Sequence, residues 1–398
     1  MNNHPPSQPN FHSDQRNSVR FWLALIIGAA ILVRVAAAFY LGDQVVDLPG
    51  TSDQLSYDML AQQVLDGQGF TVATAWWPAT RAGAPTAHWS YLYTLYLAAV
   101  YGLFGYHPLA ARLIQAILVG FLLPWLGFRL GCRHFNTKVG LVSAALMAFY
   151  PYFVYYSAAL MTETFYIIAI LWTLDLAGQL GQAKPTNQTG ERSTNHSLKL
   201  ALLLGLALGV TVLLRQVFLL FIPVLFVWLI WRSYRYQQRA VSRMVGILAG
   251  AALILILSIV PWTMRNYWAF GDFVLLNTNA GFAFFWGNHP VHGYNFIAIL
   301  PPGGPTYQDL LPPELVDLNE ASLDRALLGR GLGFIAADPA RYLILSLSRV
   351  KDYFKFWPSA DSGFLSNLLR LFSFGLLLPF MLYGFLANLR QSLTSERL

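Results

Sequence analysis

Apolar runs about as long as a lipid bilayer is thick recur along this chain and limit what it can fold into. Clear runs lie at residues 21–41, 109–131, 139–158, 163–181, 245–263 and 366–388. A further run, 198–231, is long enough for two helices that turn near Arg215 and Gln216. A span takes roughly 20 apolar residues, and backbone groups in lipid must be hydrogen-bonded within the chain. The pattern therefore predicts eight transmembrane helices.

Composition agrees with a membrane protein and narrows the partners. The chain is 56% hydrophobic and 11% charged, with a mean hydropathy of +0.47. Its net charge of +7 comes from Lys and Arg that lie mostly in short loops beside apolar runs. That placement is typical of inner-side loops and of contact with anionic membrane lipids, and we expect no nucleic acid partner. Cys132 is the only cysteine, which excludes a disulfide framework and a cysteine metal site.

The distribution of positive charge predicts the topology. Two stretches, 89–106 and 341–357, are rich in Tyr or interrupted by charge, so we expect them to lie flat at the membrane interface. Eight spans then place both termini inside, together with most Lys and Arg. We expect a multi-pass protein of the cell inner (plasma) membrane. It has a cytoplasmic N-terminal tail over residues 1–20 and a single transmembrane domain over residues 21–398.

The first large outer loop, residues 42–108, opens with a cluster of acids that no Lys or Arg interrupts. The carboxylates are those of Asp43, Asp47, Asp53, Asp58 and Asp66. Ionisable groups held so close to a bilayer often belong to a functional site. We therefore expect the chemistry of this protein at the outer face of the membrane.

Six short motifs succeed one another along most of the chain. They are Asp53-x-x-x-Tyr57-x-x-x-Ala61 with Gly67-x-Gly69-Phe70, Gly102-x-x-Gly105 to Arg112, Ala159-Leu160-Met161-Thr162-Glu163, Pro261-Trp262-Thr263-Met264-Arg265-Asn266-Tyr267, Asn279-Ala280-Gly281 and Trp286-Gly287-Asn288-His289-Pro290. In this order the chain resembles membrane glycosyltransferases of the GT-C superfamily, close to family 39, which includes protein O-mannosyltransferases and lipid A aminoarabinose transferases. The resemblance implies an all-α polytopic membrane protein, a GT-C-type transmembrane bundle with juxtamembrane helices at the outer face. It also implies an inverting transfer of a hexose or pentose from a polyprenyl-phosphate carrier to an acceptor.

The resemblance gives roles to two acids. Asp53 matches the catalytic acid of the family in the first outer loop, and we expect it to be the general base. Glu163 matches the second acidic position, where an acid contributes to acceptor or metal binding. Either acid could instead only stabilise the start of a helix, because carboxylates favour that position. Asp58 and Tyr57 are secondary candidates, and Asp58 should face away from Asp53.

Cations and hydrogen-bond donors near the outer face are candidates for binding the carrier phosphate. They are Arg265, Arg215, His88, Arg81, Asn288 and His289. Arg265 and Arg215 lie at the outer ends of apolar runs, where an Arg side chain otherwise reaches lipid headgroups. The polyprenyl tail needs an apolar groove, which we expect to be bordered by the second outer loop, residues 264–365.

A metal is an option that the sequence leaves open. His88, Glu163 and His289 could form a divalent metal site, because imidazole and carboxylate are suitable ligands. Their spacing is not diagnostic, however. A leaving group with a single phosphate does not require a metal, so we expect no obligatory cofactor.

A transporter or flippase of a lipid-linked or polar solute is the main alternative. Such a protein should carry charges within its spans and show broken helices or repeats. Only Arg34 and Asp175 lie clearly within the predicted spans, which favours the enzyme. Nothing in the sequence specifies the donor sugar, or whether the acceptor is a lipid, a glycan or a protein.

Overall fold

Helices make up the regular structure of this protein. The computed structural model describes residues 11–48, 50–182, 191–236, 241–297, 300–301, 303–359 and 362–395. The helices are α1 (Phe11–Leu41), α2 (Asp53–Leu65), α3 (Tyr91–Phe104), α4 (Pro108–His134), α5 (Thr137–Phe149), α6 (Pro151–Ala158), α7 (Glu163–Gln182), α8 (Glu191–Leu214), α9 (Ile222–Tyr236), α10 (Val241–Phe270), α11 (Ala280–Asn288), α12 (Glu320–Ala337), α13 (Pro339–Tyr353), α14 (Phe364–Arg370) and α15 (Leu376–Ser395). Residues 1–10 of the predicted N-terminal tail lie outside the described residues, and α1 already begins at Phe11.

The chain divides into two compact units. Unit 1 comprises Met1–Ala283 and Gln308–Leu327, and unit 2 comprises Phe284–Tyr307 and Leu328–Leu398. Unit 1 contains the helices from α1 to α10, whereas unit 2 contains α13, α14 and α15. The division into an N-terminal tail and one transmembrane domain stays a prediction.

Six described helices are long and apolar enough to cross a membrane. These spans are Arg16–Leu41, Pro108–His134, Glu163–Gly181, Gln216–Arg235, Val241–Phe270 and Phe364–Arg390. Helices α5 and α6 form a seventh if they are counted together, and α8 contributes a shorter apolar helix over Leu198–Leu214. The chain is therefore an all-α polytopic membrane protein, as predicted. Length and apolar character support six or seven of the eight predicted spans in the described residues.

The run 139–158, predicted as one span, is bent. Helix α5 ends at Phe149 and α6 begins at Pro151, with an angle of 51° between them. Pro151 has no backbone N–H, so the carbonyl of Met147 lacks its helical partner. The fully buried Arg34 of α1 donates to that oxygen at 2.8 Å and to the carbonyl of Ala148 at 2.7 Å. The bend therefore explains why the charged side chain of Arg34 lies inside a span, because it exposes carbonyl oxygens that bind the guanidinium.

The second charge inside a span is also bound within the protein. The buried carboxylate of Asp175 in α7 accepts from Arg129 at 2.7 Å and from Arg133 at 2.9 Å. Both arginines belong to the last turns of α4. Asp175 and Arg34 therefore stabilise helix packing.

Helices α3 and α13 occupy the two stretches that we expect to lie flat. They are 14 and 15 residues long. At a rise of 1.5 Å per residue each is about 21–23 Å long, which is shorter than the roughly 30 Å hydrocarbon core of a bilayer. Their length supports the prediction, and their orientation to the bilayer stays a prediction.

The turn predicted in the run 198–231 is confirmed. Helix α8 ends at Leu214, Arg215 is extended, and a short 3₁₀ helix, Gln216–Leu220, leads into α9. Leu214 belongs to the same buried cluster as Tyr57 of α2 and Leu97 of α3. This packing brings the start of α2 to the end of α8.

Candidate active site

Asp53, at the first turn of α2, lines a cavity of about 280 Å³ that we call the site cavity. The other lining residues come from α2, the loop before α3, the end of α8 with the α8–α9 turn, and the segment between α10 and α11. They are Tyr57, Trp77, His88, Trp89, Ser90, Leu214, Arg215, Gln216, Val217, Asn277 and Asn279. The site cavity therefore brings together four of the predicted site residues, which are Asp53, Tyr57, His88 and Arg215.

The Asp53 carboxylate does not cap its helix. The N-cap residue is Ser52, whose hydroxyl donates to Asp47 at 2.8 Å and accepts no backbone N–H. Among the described residues, the side chain of Asp53 has no hydrogen-bond partner. Burial raises the pKa of the Asp53 carboxyl, and the positive charge of Arg215 opposes that rise. An unpartnered carboxylate of this kind can accept a proton from a molecule in the cavity.

Arg215 is held at the site cavity by the start of α7. Its Nε donates to the hydroxyl of Thr162 at 3.1 Å, and its Nη2 pairs with the carboxylate of Glu163. Its Nη1 makes no hydrogen bond within the described part of the chain. The second carboxylate oxygen of Glu163 is buried and also has no partner there. A guanidinium with unused donors at a cavity can bind an anionic oxygen.

Side-chain amides tie the wall that carries His88 and Trp89 to the segment after α10. Asn277 donates to the carbonyl of Trp89 at 2.9 Å, and Asn279 donates to the carbonyl of His88 at 3.2 Å. Gln216 in turn donates to the Asn279 side chain at 2.9 Å and accepts from the backbone N–H of Asn277 at 3.1 Å. Sequence reasoning missed these amides as site residues. Two signals were available, which were the position of Gln216 directly after Arg215 and the motif Asn279-Ala280-Gly281.

A buried acid at the start of α12, Glu320, anchors the same wall. Its carboxylate accepts from the backbone N–H of Ala87 at 2.7 Å and from the hydroxyl of Thr80 at 2.6 Å, and it also binds the hydroxyl of Thr278. The residues that it joins are separated from it by up to 240 positions. No local pattern could have identified Glu320, because its role depends on contacts that form only in the folded chain.

Two ring nitrogens at the site cavity, His88 Nδ1 and Trp89 Nε1, are buried without a partner in the described residues. Burial lowers the pKa of His88, although the charge of Glu320 opposes this. A neutral imidazole can donate or accept one hydrogen bond at each nitrogen but does not neutralise an anion. His88 therefore lies in the site cavity as predicted, but as a hydrogen-bonding group and not as a cation.

Arg265, predicted to bind the carrier phosphate, is not among the residues that line the site cavity. Its guanidinium donates to the carbonyl oxygens of Phe70 at 2.7 Å and Thr86 at 2.9 Å, and it lies over the ring of Tyr91. Loop carbonyls therefore take up the donors that we expected to bind phosphate. Arg265 fixes the outer loop before α3.

The remaining predicted phosphate ligands lie elsewhere. Arg81 is exposed and pairs with Asp317. Asn288 and His289 belong to unit 2, where their side chains serve local structure. The Asn288 amide donates to the carbonyl of Phe284 at 2.8 Å, and His289 Nδ1 accepts from the backbone N–H of Val291 at 3.1 Å. The site cavity itself is therefore built without these three side chains.

Asp58, the secondary candidate, is bound by other side chains. Its carboxylate accepts from the hydroxyls of Tyr101 at 2.7 Å and Tyr106 at 3.0 Å, and from the amide of Gln62 at 2.8 Å. It does not line the site cavity. As the helical spacing predicts, Asp58 points away from the surroundings of Asp53.

No group of three His, Cys, Asp or Glu side chains could hold a metal ion in the part of the chain that the structure describes. The Glu163 carboxylate, one of the three predicted ligands, pairs with Arg215 instead. A metal requirement therefore remains a matter for experiment.

An apolar groove of about 510 Å³ adjoins the site cavity. It is formed by α3, α4, α7 and α8, and its lining residues are Leu92, Tyr93, Leu95, Tyr96, Leu122, Phe165, Ile168, Ala169, Trp172, Val210 and Leu214. Leu214 lines both spaces. Residues 264–365 do not line this groove, and the border expected for the polyprenyl groove stays a prediction.

Comparisons with known proteins support the fold. No protein-family model matches the chain, and no curated protein matches it. The oligosaccharyltransferase of Archaeoglobus fulgidus, solved in the apo form, is 13% identical with a TM-score of 0.52, over 88% of this chain and 39% of that one. AglB of the same organism, in complex with an inhibitory peptide and a dolichol-phosphate, is 12% identical with a TM-score of 0.49, over 92% and 37%. The chain thus spans about two-fifths of the length of these structures, and over that length its fold is similar to that of the apo oligosaccharyltransferase.

Proposed function

We propose that this chain is a family 39-like, inverting GT-C glycosyltransferase. It would move a hexose or pentose from a polyprenyl-phosphate carrier to an acceptor at the outer face of the inner (plasma) membrane. The observation that carries the proposal is the unpartnered carboxylate of Asp53 near Arg215, in a cavity that shares Leu214 with an apolar groove. The fold likeness to an archaeal oligosaccharyltransferase and the order of the sequence motifs support it.

Asp53 is the general base in this proposal. An acceptor hydroxyl or amine gives its proton to the carboxylate while its lone pair forms the new bond to the anomeric carbon. The bond from that carbon to the phosphate oxygen breaks on the opposite side, and its electron pair leaves with the polyprenyl phosphate. Burial raises the pKa of Asp53, which makes its ionised form a stronger base. A positioned base contributes about 10²–10⁴-fold to a rate.

Arg215 binds the departing phosphate. Negative charge develops on the phosphate as its bond to the sugar breaks, and a fixed cation stabilises that charge where water is excluded. Glu163 holds one side of the guanidinium and leaves Nη1 for the ligand. Glu163 is therefore a positioning residue, which acts through Arg215.

The apolar groove accommodates the first part of the polyprenyl tail. All eleven of its lining residues are apolar or aromatic, and burial of apolar surface stabilises such a tail by roughly 25 cal/mol per Å². The shared residue Leu214 marks where the tail would meet the phosphate. The two charges inside spans, Arg34 and Asp175, are bound by protein groups, which argues against a role for them in transport. The break between α5 and α6 is a feature that a transporter could share, but it follows from Pro151.

Sugar transfer can be tested with the purified chain in liposomes that contain membrane extract. A set of radiolabelled polyprenyl-phosphate sugars is added one at a time, and the label is followed in carrier, acceptor and free sugar. We expect one label to move to an acceptor with release of polyprenyl phosphate, and Asp53→Asn to abolish the movement. Transfer should persist in EDTA. A labelled donor that crosses the bilayer unchanged would establish the transporter instead.

A further inference from the structure

A second cavity, of about 610 Å³, lies beside the site cavity in unit 1. Its walls are residues 75–81 on one side and Gln308, Leu311 and Val316 on the other, and we call it the tryptophan cavity. Trp77 lines both this cavity and the site cavity. A molecule in the tryptophan cavity is therefore separated by one indole from the space that holds Asp53. The proposed donor does not use this cavity.

The wall formed by residues 75–81 is fixed before any ligand binds. Trp76 and Thr80 exchange two backbone hydrogen bonds, each 2.8 Å long. The indole N–H of Trp76 donates to the hydroxyl of Ser56 in α2 at 2.9 Å, and the hydroxyl of Thr80 donates to the buried Glu320 at 2.6 Å. The wall is thus tied to the same helix that begins with Asp53. A preformed concave site loses little entropy when it binds a ligand.

The side chains of the tryptophan cavity suit an uncharged sugar ring. Trp76 and Trp77 are both half-buried, and a pyranose presents a face of C–H groups that packs against an indole ring. Arg81 and Gln308 supply planar groups that can bind hydroxyls. The ion pair of Arg81 with Asp317 is exposed, and such pairs contribute only about 0–1 kcal/mol, so both groups can turn to a ligand.

Charge and polarity argue against other occupants. An apolar tail would cover the polar groups of Arg81 and Gln308, whereas the groove at Leu214 is far less polar. An anion is disfavoured because the negative charge of Asp317 lies beside the Arg81 guanidinium. The volume is within the roughly 300–1,000 Å³ typical of small-molecule sites.

We propose that the tryptophan cavity is the acceptor site and that the acceptor presents an uncharged saccharide there. This inference rests on the proposed function. The sugar ring lies against the indoles, and one of its hydroxyls passes Trp77 to reach Asp53. That oxygen forms the bond to the anomeric carbon of the donor, its proton goes to Asp53, and the polyprenyl phosphate leaves. The product is a glycan one sugar longer.

Ligand binding can be measured without any donor. The purified full chain in detergent is mixed with methyl glycosides of glucose, mannose, galactose, N-acetylglucosamine and arabinose, and saturation-transfer NMR records which sugar protons contact the protein. We expect at least one glycoside to bind with millimolar affinity. Val316→Trp, which fills the tryptophan cavity, should weaken binding at least tenfold. Arg81→Gln should weaken it about threefold to tenfold.

Matched variants test whether these effects are local. Val46→Trp changes another valine that is exposed to a similar extent, 44% against 40%, and it should leave binding unchanged. Arg325→Gln removes another exposed pair, with Asp272, and should do the same. Equal loss in Val46→Trp and Val316→Trp would overturn the assignment.

The binding test separates this inference from the proposed function. Failure of all five glycosides to bind would overturn the saccharide site, as would binding that Val316→Trp leaves unchanged. Binding of a Ser/Thr-containing peptide in place of every glycoside would also overturn it and would identify a protein acceptor. A chain that binds a glycoside in the tryptophan cavity but transfers no sugar would refute the proposed function and leave the saccharide site standing.

Discussion

The surroundings of Asp53 and of Asp58, five residues apart in α2, differ in how their carboxylates are bound. Asp53 lines the site cavity and has no hydrogen-bond partner among the described residues. Asp58 is 7% exposed and accepts from two tyrosine hydroxyls and one amide. Burial raises the pKa of both carboxyls, but at Asp58 the phenol hydrogen bonds oppose the rise.

In the proposed function this difference distinguishes a catalytic acid from a structural one. Hydrogen bonds to a carboxylate stabilise its charged form and reduce its tendency to take up a proton. Those at Asp58 also join α2 to the region of Tyr101 and Tyr106. The carboxylate of Asp53 keeps its lone pairs for a ligand. Helix α2 therefore has one acid that is bound within the protein, Asp58, and one that is available to a ligand, Asp53.

The largest expected effect is on transfer by Asp53→Asn. The amide keeps the shape of the side chain but cannot accept the proton, so transfer should fall about 10²–10⁴-fold while donor binding persists. The measurement is the initial rate of label transfer per folded molecule. Asp58→Asn is the control and should retain its rate within about threefold. Near-normal transfer by Asp53→Asn together with loss in Asp58→Asn would assign the role of the base to Asp58.

Removal of the cation near Asp53 should have the next largest effect. Arg215→Gln loses the charge that would stabilise the leaving phosphate, and we expect transfer to fall about 10²-fold. The positive charge of Arg215 lowers the pKa of Asp53, so its removal raises that pKa. The acidic limb of the pH–rate profile should then move to higher pH. If the acidic limb stays at the same pH in Arg215→Gln, the group whose titration limits the rate is not Asp53.

Substitution of the same two aspartates should affect protein stability in the opposite order, with the larger loss in Asp58→Asn. Asp58→Asn replaces a charged acceptor of three hydrogen bonds, which costs about 1.5–3 kcal/mol in the free energy of unfolding. Asp53→Asn removes an unpaired, partly buried charge and should leave stability equal or higher. The thermal midpoints of both variants in detergent compare the two sites. A lower midpoint for Asp53→Asn than for Asp58→Asn would contradict this assignment.

The smallest effects should come from the tyrosines that bind Asp58. Tyr101 is 2% exposed and its hydroxyl is 2.7 Å from the carboxylate, whereas Tyr106 is 51% exposed and its hydroxyl lies at 3.0 Å. We expect Tyr101→Phe to cost about 1 kcal/mol of stability and Tyr106→Phe less than half of that. Neither should change transfer by more than about twofold. Thermal midpoints together with transfer rates check both expectations.

The sequence predicts features of this protein that depend on neighbouring residues. A charged residue in the middle of the run 198–231 correctly indicates the turn at Arg215, because an unpaired arginine in lipid is costly. The position of Asp53 in the acidic loop after the first apolar span also follows from local pattern, and the resemblance implies its role. Pro151 could have indicated the bend between α5 and α6, since proline removes a helical hydrogen bond.

Features that depend on distant contacts could not be predicted. Arg265 was expected to bind phosphate, but its donors are used by Phe70 and Thr86, which are 195 and 179 residues away. The sequence around Arg265 does not indicate whether its side chain binds a ligand or a loop. Glu320 likewise has no local signal for its role at the site wall. The identities of the cavity-lining residues therefore required the folded structure.

Arg34 is synthesised long before the groups that it binds. Its two carbonyl acceptors in α5 lie 113 and 114 residues further along the chain. The ribosome must therefore pass α5 before the first span can complete its hydrogen bonds. Until then a guanidinium in an apolar segment disfavours insertion by up to about 3 kcal/mol. The first helix of the nascent chain should therefore stay at the translocon until α5 is synthesised. A chain truncated before Met147 should be recognised and degraded by membrane quality control.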